Sequence, residues 1–125
     1  MTHKTKNILV VDDDPAICRL VAETVKAPGF HIYTAKDGVE ALRLIDEPST
    51  TIDLLLVDVV MPRLNGPELV RVVSSHYPEI KIIFMSGYQN DVLDRYGIVA
   101  SRIRYIQKPF IPAALVQAVR EELSK

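Results

Sequence analysis

Five short runs of apolar or β-branched residues are spread along the chain, and charged residues, glycine, serine or proline close each of them. Runs of this length between turn-forming residues predict buried strands. The predicted strands are Ile8–Val11, Phe30–Ala35, Leu54–Val57, Ile80–Met85 and Ile103–Ile106.

Helical periodicity fills the segments between these runs. Apolar residues recur there three and four positions apart, as on one face of an amphipathic helix. The segment 89–101 carries only a short apolar stripe and predicts at most a short helix. The clear stripes are Ile17, Leu20, Val21 and Val25, then Leu69, Val72 and Val73, then Leu115, Ala118, Val119 and Leu123.

Three helix starts can be placed from their capping residues. Asp14 is followed by proline, which suits the first position of a helix. Asp37 with Glu40, and Asn65 with Glu68, have the spacing of a capping box. Each helix start therefore follows shortly after the end of a predicted strand.

The regular alternation of strands and helices predicts the fold class. Repeated strand and helix units form a parallel sheet that is covered by helices on both faces, and continuous apolar strands such as Leu54–Val57 fit burial on both sides. No linker, low-complexity tract or repeat divides the sequence. We therefore expect a doubly wound α/β fold in which residues 1–125 form a single domain.

Composition and charge exclude several other classes. The 125 residues are 48% hydrophobic and 25% charged, as in an ordinary globular protein. Fifteen basic and 16 acidic residues give a formal net charge of −1, so no global field attracts the chain to nucleic acid or to an acidic membrane surface. We expect no direct binding to nucleic acid.

The single cysteine and the interrupted apolar runs bear on the compartment. Cys18 has no second cysteine with which to pair, and the first residues lack the pattern of a signal peptide. Charged residues interrupt every apolar run before it reaches the ~18 residues that cross a bilayer. We therefore expect a cytoplasmic location and no membrane insertion by this segment.

Acidic residues follow two of the predicted strands. Asp12, Asp13 and Asp14 end the first strand, and Asp58 ends the third. Ligands of open parallel sheets bind beyond the carboxyl ends of the strands, so these carboxylates are expected to gather at one edge. A hard cation such as Mg²⁺ would offset their repulsion. For any one of them, a helix cap or a solvated loop residue is an equally good interpretation, and Asp14 fits a cap best.

Two further polar residues follow the last two predicted strands. Ser86 ends the fourth strand and Lys108 follows the fifth. Enzymes and switches that transfer phosphoryl groups act mainly by positioning and by neutralising charge, so a carboxylate, a divalent cation, a lysine and a hydroxyl form a complete set. A surface lysine and a turn serine are the ordinary alternatives when each is taken alone.

Together these motifs resemble the receiver domains of response regulators in two-component and phosphorelay signalling. The resemblance covers essentially the whole chain. The matching motifs are Val10-Val11-Asp12-Asp13, Leu56-Val57-Asp58-Val59-Val60-Met61-Pro62, Asn65-Gly66, Met85-Ser86-Gly87 and Lys108-Pro109-Phe110.

The resemblance implies roles for the residues at the strand ends. Asp58 would accept the phosphoryl group from a histidine kinase or a histidine phosphotransfer protein. Asp12, Asp13, Asp58 and the backbone carbonyl of Val60 would hold Mg²⁺. The domain would be a phosphoacceptor that assists its own phosphorylation and dephosphorylation, and not an enzyme with a separate substrate.

Further features come from the resemblance alone. It implies a flavodoxin-like five-stranded sheet of order 2-1-3-4-5 and a cis bond between Lys108 and Pro109. Ser86 and Lys108 would contact the phosphoryl oxygens, and Tyr105 would be the aromatic partner of Ser86 in switching. A downstream effector would then bind the surface formed by the fourth and fifth helices and the fifth strand.

Some positions depart from the commonest pattern of the family. Ser86 replaces a frequent threonine, Gly87 replaces a small alanine, and Ser101-Arg102 stands where glycine and alanine are frequent. None of these changes removes a residue that phosphorylation needs. The string from Met85 to Tyr88 is similar to that of receivers attached to hybrid sensor kinases, so a piece of a hybrid kinase and a stand-alone relay protein both stay open.

Three other functions are weighed against the phosphoacceptor. An Asp-nucleophile phosphatase would need a second aspartate two residues after Asp58, where the chain has Val60. A flavin binder would need a phosphate-binding loop after the first strand, which is missing. A receiver that is never phosphorylated would be expected to have lost acidic or lysine positions, and all are present.

Arg63 could touch an incoming phosphate, but a solvated loop arginine is the preferred interpretation.

Overall fold

The computed structural model describes residues 5–61, 63–87 and 103–125, and strands and helices alternate through these ranges. The fifth helix of the sequence prediction is labelled α4 here, because the predicted helix within 89–101 lies outside the described residues. The elements are β1 Lys6–Val11, α1 Pro15–Val25, β2 Phe30–Ala35, α2 Gly38–Asp46, β3 Leu54–Asp58, α3 Gly66–His76, β4 Lys81–Ser86, β5 Arg104–Gln107 and α4 Pro112–Leu123.

The five strands form one parallel sheet in the order β2-β1-β3-β4-β5. This confirms both the fold class predicted from the alternating pattern and the strand order implied by the resemblance. The register pairs Val11 of β1 with Val57 of β3, and Asp58 of β3 with Met85 of β4. The carboxyl ends of the central strands therefore meet at a single edge of the sheet.

Each face of the sheet carries its own apolar core. Alternate residues of β1, such as Leu9 and Val11, pack with α2 and α3 on one face, while Ile8 and Val10 pack with α1 and α4 on the other. All four side chains are fully buried. Burial on both faces explains why the central strands are continuous apolar runs.

The capping residues place the helices as their spacing predicted. Asp14 Oδ1 accepts hydrogen bonds from the first turn of α1, at 2.9 Å from Ala16 N and 3.4 Å from Ile17 N. Asn65 and Glu68 form a complete capping box at the start of α3, with bonds of 2.9 and 3.2 Å. Asp14 thus acts as a cap.

Three strands, β3, β4 and β5, end one residue later than their apolar pattern indicated. Asp58 is the last residue of β3 and pairs with Met85, and Ser86 is the last residue of β4 and pairs with Gln107. Hydrogen bonding to the neighbouring strand extends each ladder past the last apolar residue. Both polar side chains are therefore carried on strand backbone.

Among the described residues, no helix has the length and apolar character that a membrane span requires.

Candidate functional site

Three carboxylates gather at the carboxyl edge of the sheet. Asp12 and Asp13 directly follow β1, and Asp58 ends β3. One oxygen from each side chain lies within 4.8 Å of the others. Asp12 is 1% exposed, the Asp58 side chain is 13% exposed, and Asp13 is open to solvent. The carboxylates of Asp12 and Asp58 have therefore lost most of their contact with water.

Lys108 supplies the positive charge that these carboxylates face. It follows β5, and its Nζ lies 2.8 Å from Asp12 Oδ2 and 3.4 Å from Asp58 Oδ1. The Lys108–Pro109 peptide bond is cis. Lys108 N also donates a 2.7 Å hydrogen bond to the carbonyl oxygen of Ser86, which ties the β5 end to the β4 end. The lysine thus contacts two of the three acids.

Ser86 and Tyr105 meet on the β4 and β5 side of the edge. Ser86 is 1% exposed, and Tyr105 is partly buried. The Tyr105 hydroxyl donates a 3.2 Å hydrogen bond to the backbone carbonyl of Ser86. This contact joins the residue at the end of β4 to the middle of β5.

The loop after β3 turns tightly against the strand end. Val59 N donates to the Met85 carbonyl at 3.2 Å, and Gly66 N donates to the Val59 carbonyl at 3.0 Å. A Cβ atom at Gly66 would collide with the Asp58 carbonyl oxygen, so only glycine fits there. Val60, which is 47% exposed, lies inside this loop.

The electrostatic setting raises the pKa of Asp58 to about 6. Burial is the main cause, and the negative charges of Asp12 and Asp13 add to it. The ammonium of Lys108 opposes the change without cancelling it. In the metal-free protein, protonation of Asp58 thus begins close to neutral pH.

The same environment acts on Lys108 in two directions. Burial alone would lower its pKa, because a charged ammonium loses water there. The hydrogen bond with Asp12 and the charges of Asp58 and Asp12 outweigh burial, and the pKa of Lys108 is raised. Lys108 therefore stays protonated and positively charged at neutral pH.

The donor set fits a small hard cation. Asp12, Asp13 and Asp58 offer carboxylate oxygens, which Mg²⁺ prefers, and the exposure of Asp13 leaves water free to complete a coordination shell. Lys108 brings one positive charge to an edge with three negative charges. The residues present leave a net negative charge that a divalent ion would offset.

Sequence reasoning did not anticipate two contacts. Lys108 lies closer to Asp12 than to Asp58. Arg63, interpreted as a solvated loop residue, has an exposed side chain but reaches Asp37, with Nη1 at 3.2 Å from Oδ2. The capping spacing marked Asp37 as a fixed acceptor, yet nothing in the sequence indicated which cation would pair with it.

Comparison with known families decides the classification. The family model for the response regulator receiver domain matches residues 8–120. The chain belongs to this family. Receiver domains are phosphorylation-dependent switches of two-component signalling.

Individual relatives agree with the family. The chain is 34% identical over 118 residues to the sensor kinase CckA of Brucella abortus (strain 2308), covering 94% of this chain and 12% of that protein. It is 35% identical over 120 residues to the transcriptional regulatory protein CpxR of Escherichia coli (strain K12), covering 94% of this chain and 49% of that protein. The chain thus spans half or less of these two curated relatives.

A solved structure matches the whole fold. The CheY-like response regulator receiver domain protein from Methanospirillum hungatei JF-1 superposes with a TM-score of 0.82 at 28% sequence identity. The match covers 97% of this chain and 95% of the other. The two chains therefore share the same fold.

The pKa of Asp58 predicts how stability depends on pH when metal is removed. Folded protein keeps a proton on Asp58 up to a pH of about 6, whereas the unfolded chain releases it near about pH 3.9. The folded state therefore binds more protons between these values, and the free energy of unfolding falls as pH rises through them. Asp58→Asn removes this cost.

In urea unfolding with a metal chelator, we expect Asp58→Asn to be more stable than the parent by about 1–3 kcal/mol above about pH 6.5. The advantage should shrink as the pH falls and disappear below about pH 3.9, where the parent carboxyl is protonated in both states. An advantage that is absent at neutral pH, or constant across this range, would contradict the assigned electrostatics.

Proposed function

We propose that Asp58 accepts a phosphoryl group from a phosphohistidine of a kinase or phosphotransfer protein, in a reaction that requires Mg²⁺. The observation that carries this proposal is the position of Asp58 between two acidic neighbours and the ammonium of Lys108, 3.4 Å away. A nucleophile, a cation site and a fixed positive charge then meet at a single edge. Residues 1–125 act as one receiver unit.

The hydrogen bonds around Asp12 favour Asp58 as the acceptor. Asp12 Oδ1 accepts from Asp14 N at 3.0 Å, and Oδ2 accepts from Lys108 at 2.8 Å. Both oxygens of this buried side chain are therefore engaged. Asp13 is open to solvent and lacks a contact with Lys108 among the described bonds. Asp58 is the one carboxylate of the cluster that is both partly exposed and beside the lysine.

The transfer is a simple displacement at phosphorus. An Asp58 carboxylate oxygen attacks the phosphorus, a new O–P bond forms, and the N–P bond to the donor histidine breaks with its electron pair going to the imidazole nitrogen. Lys108 offsets the charge of the phosphoryl oxygens. Mg²⁺ held by Asp12, Asp13, Asp58 and the Val60 carbonyl would supply further positive charge.

The raised pKa of Asp58 makes the phosphorylation reaction depend on pH. At neutral pH the carboxyl with a pKa of about 6 is mostly ionised, so no general base is needed to activate it. Below that pH the proton competes with both the cation and the phosphoryl group. The reaction is therefore expected to slow as the medium becomes acidic.

The same groups account for loss of the phosphoryl group. A phosphorylated Asp58 is an acyl phosphate, and water that reaches it from the exposed Asp13 side can attack the phosphorus. The O–P bond to Asp58 then breaks, inorganic phosphate leaves, and the Asp58 carboxylate is restored. The domain would thus assist both its phosphorylation and its dephosphorylation, without turning over a separate small substrate. Val60 occupies the position at which an Asp-nucleophile phosphatase has its second aspartate, which favours the switch over that enzyme class.

Partners follow from this chemistry. One relative is named a sensor kinase and another a transcriptional regulatory protein, so the donor is proposed to be a histidine kinase or a histidine phosphotransfer protein. A kinase draws its phosphoryl groups from nucleotide in the cytoplasm, where we place the domain. The net charge of −1 supports regulation through protein contacts instead of direct binding to nucleic acid.

Ser86 and Tyr105 are proposed to pass the signal to an effector. The Ser86 hydroxyl and Lys108 would contact the phosphoryl oxygens, and movement of Ser86 would alter the Tyr105 hydrogen bond to its carbonyl, now 3.2 Å long. A ligand shifts a conformational equilibrium only through contacts that are better in one state. The affected surface, named the effector face, comprises β5, α4 and the predicted helix within 89–101.

Phosphorylation by a small donor tests whether Asp58 is the acceptor. Incubation with Mg²⁺ and a small acyl-phosphate donor should add one phosphoryl group, detected by intact mass. Asp58→Asn should abolish the gain, and a chelator should abolish it in the parent. Asp46→Asn is the matched control, because Asp46 is an exposed aspartate that bonds to Tyr77 at the other edge of the sheet. A mass gain that persists in Asp58→Asn would contradict the proposal.

The effector face is expected to change when the phosphoacceptor site is occupied. Saturation with Mg²⁺ and a beryllium fluoride mimic should move the backbone NMR signals of Tyr105 and its neighbours in β5, while those of Thr51 at the far edge stay in place. Ser86→Ala should reduce the response, because it removes the proposed hydroxyl contact. Unchanged Tyr105 signals in a parent protein that binds the mimic would contradict this switch.

A further inference from the structure

The start of α2 carries an ion pair that reaches into the loop after Asp58. Asp37 is the N-cap residue of α2, and its side chain is 7% exposed. Its two oxygens have separate partners: Oδ1 accepts from Glu40 N at 2.8 Å, and Oδ2 lies 3.2 Å from Arg63 Nη1. One buried carboxylate thus holds both a helix end and a loop arginine.

The backbone of Arg63 needs support of this kind. Its φ is +70°, the one positive value at a non-glycine residue within the described ranges. The left-handed region is unfavourable for a residue with a Cβ atom, and such conformations persist where the surroundings enforce them. Asp37 is already oriented by its bond to Glu40 N, so it offers Arg63 a fixed partner.

The residue after Arg63 rests on the same helix start. A Cβ atom at Gly38 would lie 2.6 Å from the carbonyl oxygen of Leu64, so the loop backbone passes directly over the first residue of α2. Leu64 also packs against the core between the sheet, α2 and α3. Two consecutive loop residues are therefore fastened to α2.

The other end of the loop is fastened to β3. Gly66 N bonds to the Val59 carbonyl, and Gly66 packs against the Asp58 carbonyl so closely that no side chain fits. Asp58 lies at the β3 contact of Gly66, and Val60 lies in the loop between that contact and the contacts of Arg63 and Leu64 with α2. The conformation of the segment that carries the acceptor and the proposed Val60 ligand is thus set from both sides.

We propose that Arg63 and Asp37 are positioning residues for the phosphoacceptor site: their ion pair fixes the loop after Asp58 and thereby sets metal affinity and phosphorylation rate. This rests on the proposed function of Asp58. Arg63 Nη1 lies against Asp37, so we expect Arg63 to act through the loop and not through direct contact with the phosphoryl group. The bond from Glu40 N, helped by the Arg63 charge, keeps the pKa of Asp37 low, and the pair persists at neutral pH.

Substitutions can separate the ion pair from the helix cap. Asp37→Asn keeps an Oδ1 acceptor for Glu40 N but removes the charge that holds Arg63. Arg63→Gln removes the other charge, and Arg63→Lys retains it. Arg43→Gln is the matched control, because Arg43 is an exposed arginine in the last turn of α2, away from the loop.

Three readouts test the variants. The first is amide hydrogen exchange at Gly66 in metal-free protein, since this amide donates to Val59 inside the loop. The others are Mg²⁺ affinity by titration and phosphorylation rate with a small acyl phosphate. We expect Arg63→Gln and Asp37→Asn each to speed exchange at Gly66 and to lower Mg²⁺ affinity and rate by about tenfold, as for other residues that orient metal ligands. The double variant should lose no more than either one.

The outcomes decide clearly. Partial recovery in Arg63→Lys and parent behaviour in Arg43→Gln would support the positioning role. Parent-like exchange, affinity and rate in Arg63→Gln would overturn it, and so would a defect confined to Asp37→Asn, which would assign the effect to Asp37 independently of Arg63. If the parent itself gained no phosphoryl group, the proposed function would fail, while exchange and Mg²⁺ titration would still decide the role of the pair.

Discussion

Repulsion among carboxylates at one edge of the sheet is the constraint on which the rest of the molecule depends. Asp12 and Asp58 are largely buried, and burial removes much of the water that would weaken the repulsion between their charges. Lys108 contacts both and offsets part of this repulsion. Burial, together with the remaining negative charge of Asp12 and Asp13, raises the pKa of Asp58, and a divalent cation would offset that negative charge.

The scaffold holds this unfavourable arrangement through the buried strands. β1 and β3 run through both cores, and their parallel pairing brings Asp12 and Asp58 to the same edge, while β5 delivers Lys108 from the far side of β4. Asp14 caps the start of α1 and is not one of the three clustered carboxylates. The clustered charges lower the stability of the fold, and the apolar packing of the two cores offsets that loss, as is common at functional sites.

Much of the fold and part of the site could be predicted from sequence because the signals are local. Strand runs, helix stripes and the caps at Asp14 and Asn65 depend on neighbouring residues, and residues after strands of a parallel sheet share an edge. The strand order came from family resemblance, since spacing does not determine it. The Arg63–Asp37 pair joins residues 26 positions apart through a left-handed turn, and the Asp58 pKa depends on burial, so neither had a local signal.

The central claim is that the phosphoryl group resides on Asp58, and residue-level mapping in the unaltered protein tests it most directly. Borohydride reduces an aspartyl phosphate to homoserine, so protein treated with Mg²⁺ and an acyl phosphate can be reduced, digested and sequenced by mass spectrometry. The account predicts homoserine at position 58 alone, in an amount that matches the phosphorylated fraction. Homoserine at position 12 or 13, or phosphorylated protein with an unreduced Asp58, would contradict it.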